Sequence, residues 1–239
     1  MHFLEWPSPN HDARPTDGIV DMLILHYTGM TSGEAALARL AAPDAKVSAH
    51  YVIEEDGAIW HLVPEDRRAW HAGLAFWAGR RDINARSIGI ELVNPGHEWG
   101  YRPFPRPQMA ALEALARDII ARHPIRPEFV LGHSDVAPQR KTDPGELFDW
   151  ARLAQAGIGL WPDFARAPRD IPQDAAAAQR LLAEIGYEVQ QSGALDAATR
   201  AVVIAFQRHF RPTQCDGALD PETRSRIATV AAAVKGDEG

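Results

Sequence analysis

The sequence predicts an α/β domain, with a mixed central β-sheet flanked by helices, followed by a small all-α three-helix domain. Short apolar runs of strand length alternate with helical patterns over residues 1–160, which is typical of an α/β or mixed-sheet domain. Three prolines fall within residues 161–172, WPDFARAPRDIP, and indicate a linker. Three helical patterns then occupy residues 173–239.

The composition limits the partners and the chemistry. The 239 residues are 46% hydrophobic, which is enough for a packed core. The net charge is -7 and Lys and Arg form no cluster, so we expect no nucleic-acid partner. The single cysteine, Cys215, cannot form an internal disulfide, and any metal must therefore be held by histidine and carboxylate.

The sequence also bears on location. It contains no apolar stretch of about 18 residues, so we expect no membrane span. Its start, MHFLEWPSPNHDARP, lacks the basic and apolar regions of a signal peptide. We therefore expect a cytoplasmic protein, and the alternative is a periplasmic protein whose leader has been removed.

The first domain begins with an irregular arm, because residues 1–18 are rich in Pro, Asp and Asn. An apolar run over residues 19–26 predicts a strand with His26 at its end. Alanines and leucines at helical spacing over residues 32–41 predict a helix, with Ser32 or the residue before it as N-cap.

A hairpin is predicted next, because two apolar runs over residues 49–63 flank Asp56 and Gly57. We expect a type I′ turn there, which needs positive φ at both central positions. The remaining elements of this domain are an ordered loop, a strand, an amphipathic helix and a second strand that delivers His133, over residues 66–84, 87–93, 107–123 and 128–132.

The second domain contains three helical patterns, over residues 174–185, 196–210 and 221–234. An Asp-x-x-Thr pattern begins at Asp196 and again at Asp220. Each aspartate can cap the helix that follows it.

Three side chains are candidate ligands of one catalytic Zn²⁺ ion: His26, His133 and Asp143. A catalytic zinc takes three protein ligands and leaves a fourth position for water. The spacing of His133 and Asp143 differs from the helical metalloprotease motif, in which two histidines lie four residues apart. The alternative for each histidine is an ordinary buried or surface residue satisfied by hydrogen bonds.

Two further polar residues could take part in catalysis. Glu91 interrupts an apolar strand, so it either faces solvent or is buried as a general base with a raised pKa. Lys141 precedes Asp143 by two residues, and in an extended segment both would share a face. Such a cation could stabilise an oxyanion, and the alternative is a solvated loop lysine.

Five motifs carry a resemblance to a known family over residues 19–150: LHYTG, SAHYVIEEDG, WHAG, SIGIELVNPG and LGHSDVAPQRKTDPG. In this order they resemble the zinc-dependent N-acetylmuramoyl-L-alanine amidases of the type 2 amidase family, which is related to peptidoglycan recognition proteins. The resemblance implies that His26, His133 and Asp143 bind zinc. It also implies that Glu91 is the acid/base residue and that Lys141 stabilises the transition state.

The same resemblance implies a substrate groove near Trp70, His71 and Asn84. It places His50 at a position that is structural or near the site, outside the metal set. Three further segments, AAAQRLLAEIGY, GALDAATRAVVIAFQRHF and CDGALDPETRSRI, are similar to a peptidoglycan-binding domain of three helices. The expected organisation is a zinc amidase domain, a Pro-rich linker and a peptidoglycan-binding-like helical domain over residues 1–160, 161–172 and 173–239.

The activity that this resemblance implies is hydrolysis of the amide bond between N-acetylmuramic acid, including its 1,6-anhydro form, and L-alanine. The expected partner is peptidoglycan or a muropeptide, in cell-wall turnover or recycling. One alternative is a non-catalytic peptidoglycan-recognition module, and another is a peptidase that cuts within the stem peptide of the same wall.

Overall fold

A computed structural model describes residues 2–16, 18–166, 168 and 170–236. The described residues form eight strands: β1 (Leu4–Glu5), β2 (His11–Ala13), β3 (Met22–Tyr27), β4 (Tyr51–Ile53), β5 (Ile59–His61), β6 (Arg67–Ala69), β7 (Ser87–Leu92) and β8 (Val130–Gly132). They also form nine α-helices: α1 (Gly33–Ala41), α2 (Ile83–Arg86), α3 (Gly96–Trp99), α4 (Arg106–Arg122), α5 (His133–Val136), α6 (Trp150–Gln155), α7 (Ala175–Ile185), α8 (Ala197–Phe210) and α9 (Pro221–Gly236). None of these helices combines the length and the apolar character needed to cross a bilayer.

Six of the strands form a mixed sheet in the order β1-β5-β4-β7-β3-β8. Strands β4 and β5 are antiparallel, and the other neighbouring pairs are parallel. Helices flank this sheet and a helical region follows it, which confirms the predicted fold class. The carboxyl ends of β3, β7 and β8 lie at one edge of the sheet, because these three strands are parallel neighbours.

Side chains alternate between the two faces of the sheet. On one face, Leu23 and Leu25 of β3 belong to an apolar cluster with Leu112 and Leu115 of α4. The other face uses the alternate residues of the same strand, since Met22 and Ile24 belong to a cluster that includes side chains of α7, α8 and α9. The helical region therefore covers the sheet face opposite to α4.

The turn between β4 and β5 differs from the expected type I′ turn. Gly57 N–H donates to Glu54 O (2.9 Å), so the two central residues are Glu55 and Asp56. Gly57 alone takes a left-handed conformation, with φ of +92°, and the Asp56 carboxylate accepts a hydrogen bond from Ala58 N–H (2.9 Å). The type I′ prediction was wrong because an aspartate can close a turn through its side chain without a positive φ of its own.

Two segments predicted to be irregular contain short strands. Strand β1 of the N-terminal arm pairs with β5, and β2 of the same arm pairs with β6, which lies in the predicted loop over residues 66–84. These strands have only two or three residues each, which is too short for a recognisable period. Their regular conformation comes from the partner strand.

The three predicted helices after residue 172 are present as α7, α8 and α9. Asp196 and Asp220 each accept a hydrogen bond from the backbone N–H three residues later, at 2.8 Å, which confirms the predicted caps. Asp174 accepts an equivalent bond from Ala177 N–H at 2.8 Å. The Pro-rich segment, as far as it is described, contains no helix or strand, and its Trp161 and Phe164 pack against the cluster of the helical region. The domain boundaries at residues 160 and 172 stay predictions.

Two buried glutamines support the loops that lead into α8 and α9. Gln179 is fully buried; its amide donates to Thr199 Oγ1 (2.9 Å) and accepts a hydrogen bond from Gly193 N–H (2.9 Å). Gln207 makes the equivalent bonds to Thr223 Oγ1 (3.1 Å) and from Gly217 N–H (2.8 Å). The recurrence of QSGALDAAT as CDGALDPET is therefore a structural repeat, in which a buried amide holds each loop.

We expect Gln207→Leu to lower the free energy of unfolding by about 2–3 kcal/mol, because it leaves buried hydrogen-bonding groups without partners. Chemical denaturation followed by circular dichroism measures this change. The control is Gln190→Leu at an exposed position, which should change stability by no more than about 0.5 kcal/mol. Equal stabilities for the two variants would contradict the structural role of Gln207.

Candidate metal centre and active-site pocket

The parallel strands bring the predicted metal ligands together. His26 lies one residue before the end of β3, and His133 is the first residue of α5, directly after β8. Asp143 follows in the loop after α5. Because β8 pairs with β3, the two histidines meet at one edge of the sheet, which is where α/β folds place their binding sites.

The three side chains converge on one point. His26 Nδ1 lies 3.0 Å from His133 Nδ1, and each of these atoms lies 3.0 Å from Asp143 Oδ2. All three residues are buried. Their mutual geometry makes them a possible site for one metal ion.

A chain of hydrogen bonds determines which nitrogen of His26 carries the hydrogen. The Ser87 hydroxyl donates to Ile83 O (2.6 Å), so its oxygen accepts from His71 Nε2–H (3.0 Å). Burial lowers the pKa of His71 well below its ordinary value, so the ring is neutral and its Nδ1 is an acceptor. That atom lies 3.0 Å from His26 Nε2, which therefore donates.

Each of the two candidate histidine ligands consequently has one ring nitrogen without a hydrogen, here called a bare nitrogen, and these two nitrogens face each other. Burial, with a smaller contribution from His133, lowers the pKa of His26 to about 4, so His26 is neutral and its Nδ1 has no hydrogen. His133 Nε2 lies 3.0 Å from Ala72 O, which can only accept, so Nε2 carries a hydrogen, and the tautomer with this single N–H has no hydrogen on Nδ1. Two imidazole lone pairs and the Asp143 carboxylate then face one point without a hydrogen between them, which is an arrangement that fits a cation.

Glu91 lies beside this centre, directly opposite His26 in the register of β3 and β7. It is half-buried, and its Oε2 is buried without a hydrogen-bond partner among the described residues. Burial, and next the charge of Asp143, raise the pKa of Glu91 well above its ordinary value, while Lys141 opposes this shift. The structure therefore places Glu91 in the site and not on a solvent-facing surface of the strand.

A pocket of about 380 Å³ opens onto these residues. Glu91 and Lys141 line it together with the three candidate ligands, and Trp70 forms part of its wall. The Lys141 ammonium forms no salt bridge with any carboxylate of the described chain, so its charge is available to a bound molecule.

The other two predicted substrate-groove residues support the pocket wall. His71 uses both ring nitrogens in hydrogen bonds to His26 and Ser87. Asn84 lies outside the pocket lining, and its side-chain oxygen accepts hydrogen bonds from His71 N–H (3.1 Å) and Ala72 N–H (2.8 Å). Asn84 therefore fixes the backbone that carries His71 and the carbonyl of Ala72.

Three residues of the site were missed by the sequence reasoning. Ser87 orients His71, and its only signal was a hydroxyl at the start of an apolar strand. Arg140 donates to Ala72 O (3.0 Å) and also to Leu74 O, which ties the loop of the pocket wall to the segment of Lys141. Tyr27 lies in the pocket lining, and its hydroxyl is 2.8 Å from Thr142 Oγ1.

Comparisons with known proteins agree with this site. Residues 15–146 match the N-acetylmuramoyl-L-alanine amidase family, and residues 172–227 match a putative peptidoglycan binding domain. N-acetylmuramoyl-L-alanine amidase AmiD of Escherichia coli K12 is 43% identical, over 86% of this chain and 80% of the relative. The 1,6-anhydro-N-acetylmuramyl-L-alanine amidase AmpD of Enterobacter cloacae is 38% identical, over 62% of this chain and 86% of the relative.

Solved structures give the same result. AmiD of E. coli, in complex with the substrate anhydro-N-acetylmuramic acid-L-Ala-D-gamma-Glu-L-Lys, superposes with a TM-score of 0.80 at 40% identity, covering 92% of each chain. AmpDh3 of Pseudomonas aeruginosa, in complex with anhydromuramic pentapeptide, superposes with a TM-score of 0.82 at 35% identity, over 92% of this chain and 96% of that one. With the match over residues 15–146 and the His-His-Asp centre, these similarities show that this chain belongs to the N-acetylmuramoyl-L-alanine amidase family.

Proposed function

We propose that this protein is a zinc-dependent amidase that hydrolyses the amide bond between N-acetylmuramic acid and L-alanine in peptidoglycan fragments, including 1,6-anhydro forms. The observation that carries the proposal is the meeting of two bare imidazole nitrogens and a carboxylate beside Glu91 in one pocket. The names of the relatives support the reaction, and the anhydromuramyl peptides in two of the solved structures support the substrate class.

The metal in this proposal is one Zn²⁺ ion, which His26 and His133 would hold through Nδ1 and Asp143 through its carboxylate. Two imidazoles and a carboxylate are an established ligand set for catalytic zinc, and they leave a further position open. When bound, zinc supplies Lewis-acid polarisation of the substrate carbonyl and makes water nucleophilic near neutral pH.

Glu91 acts as the general base and then as the general acid. Its raised pKa suits proton transfer near neutral pH, and a cation bound nearby would bring this pKa back towards neutrality. Glu91 takes the proton of the attacking water and delivers it to the departing amine of L-alanine. The Lys141 ammonium, which lines the same pocket, stabilises the negative charge that develops on the carbonyl oxygen.

Trp70 would contact the substrate, because its partly exposed side chain lies in the pocket wall and its indole N–H is held by Asp12 Oδ2 at 2.7 Å. An aromatic face fixed in this way offers an apolar surface to a sugar ring or a peptide. His71 also lines the pocket and would act mainly by orienting His26, whereas Asn84 would act on the substrate only through the wall that it supports. A cytoplasmic location stays a prediction, which fractionation of cells that express the natural gene product tests.

The purified protein should release the intact stem peptide, beginning with L-alanine, from anhydromuropeptide. A chelator should abolish the reaction and added Zn²⁺ should restore it, because the nucleophile depends on the metal. Mass spectrometry identifies the products, and metal analysis measures bound zinc. Cleavage within the stem peptide would indicate a peptidase instead, and a preparation with neither zinc nor product would indicate a recognition module.

Glu91→Gln should lower kcat by about 10²–10⁴-fold, because the amide cannot accept the proton of water. Zinc content should stay at the wild-type level, since Glu91 is not a proposed ligand. Steady-state kinetics and metal analysis on the same sample check both expectations. Glu34→Gln, at an exposed position of α1, is the control, and a wild-type rate in Glu91→Gln would refute the assignment.

Lys141→Met should lower kcat by about 10²–10³-fold with little change in KM, because the ammonium is used mainly in the transition state. Lys141→Arg should retain part of the activity, since it keeps the charge. The matched control is Lys235→Met, on the exposed surface near the end of α9. A change confined to KM would assign Lys141 to ground-state binding instead.

A further inference from the structure

A second buried polar cluster lies outside the pocket lining, centred on the carboxylate of Asp135, which is 1% exposed. Its Oδ2 accepts hydrogen bonds from Gly132 N–H (2.8 Å) and His209 Nδ1–H (2.8 Å), and its Oδ1 accepts one from Tyr187 O–H (2.7 Å). We refer to these four residues as the Asp135 network. Two of its three donors come from the helical region that follows residue 172.

The Asp135 network includes two residues of the turn that carries a proposed metal ligand. Gly132 and Asp135 are bonded to each other across the start of α5, and His133 lies between them. Ser134 N–H also donates to Asp143 O (2.9 Å). The turn therefore carries one proposed ligand and holds the backbone of another, so the orientation of the Asp135 carboxylate affects both.

The two donors from the helical region have little freedom of their own. The His209 ring stacks on Trp150, with 3.8 Å between ring centroids and 16° between the planes. The Tyr187 ring meets Trp77 edge-on at 4.8 Å. Burial, and next the charge of Asp135, raise the pKa of Tyr187 well above its ordinary value, so its hydroxyl remains a donor.

Apolar packing also joins the two regions. Leu131 and Val136, on either side of the turn, share a cluster with Ile185 and Phe206 of the helical region. A buried carboxylate adds a desolvation penalty that its hydrogen bonds must offset, so it is a poor means of stabilising a contact. The carboxylate instead fixes the orientation of the groups around it, because charge-assisted hydrogen bonds fix the geometry of the groups that they join.

We propose that His209 and Tyr187 are positioning residues of the metal centre, which act through Asp135 on the turn that presents His133. This inference rests on the proposed zinc-dependent function. It makes the helical region a part of the hydrolytic machinery, because the region would determine how closely the metal ligands are held.

Tyr187→Phe, His209→Phe and the double variant of the full-length protein test the inference, since each single change keeps an aromatic ring and removes one donor. We expect the zinc dissociation constant, measured by competition with a chromogenic chelator, to rise about tenfold in each single variant, as is typical when a group that supports a metal ligand is removed. The double variant should show a larger rise. We also expect a lower kcat, an unchanged KM and a shifted absorption spectrum of the Co²⁺-loaded protein, because the ligand geometry changes.

Gln207→Leu is the control, because it destabilises the helical region without touching the Asp135 network. An equal loss of zinc affinity in that control would overturn the inference, as would native affinity and a native cobalt spectrum in the double variant. If the double variant does not fold, Tyr187→Phe decides on the same criteria, since it removes one hydroxyl. Wild-type protein that binds zinc but releases no stem peptide would overturn the proposed function and leave the positioning test intact.

Discussion

The site depends on one constraint, which is that a neutral imidazole has a single N–H to give. In each candidate histidine ligand, that hydrogen lies on the nitrogen that faces away from the other ligands. His26 donates it to His71, and His133 donates it to the carbonyl of Ala72. The remaining nitrogens then point at each other and at Asp143 without a shared hydrogen. Such an arrangement of acceptors is unfavourable by itself and favourable around a cation, which explains why buried polar side chains are concentrated here.

The alternation of side chains between the two faces of the sheet makes this arrangement possible. Ser87, Gly89 and Glu91 are alternate residues of β7, so one strand supplies the hydroxyl that orients His71 and the carboxylate that faces the pocket. Gly89 lies between Ser87 and Glu91 on this face, and a Cβ added to it would lie 2.5 Å from the His71 ring. Glycine is therefore required where the ring crosses the strand, and the hydrogen-bond chain and the pocket share one face of the sheet.

The helical region cannot be considered separately from this centre. Its apolar side chains complete the core on the same sheet face, and Ala78 N–H donates to Gly186 O (2.8 Å) at the boundary. Arg81 and Glu188 form an ion pair across it (2.5 Å). A region that matches a putative peptidoglycan binding domain thus supports the loop and the turn that surround the candidate metal centre.

The sequence by itself determined the fold class, the main helices with their caps, and the candidate ligands, because periodicity, capping residues and motif spacing are local properties. It left open whether Glu91 faces solvent or the site, and it identified no partner for Asp135. Only the tertiary structure decided these cases. The burial of Glu91 depends on segments distant in the chain, and so do the hydrogen bonds that Asp135 accepts from Tyr187 and His209. The short strands β1, β2 and β6 likewise needed their partners, because a two- or three-residue strand has no conformational preference strong enough to be read alone.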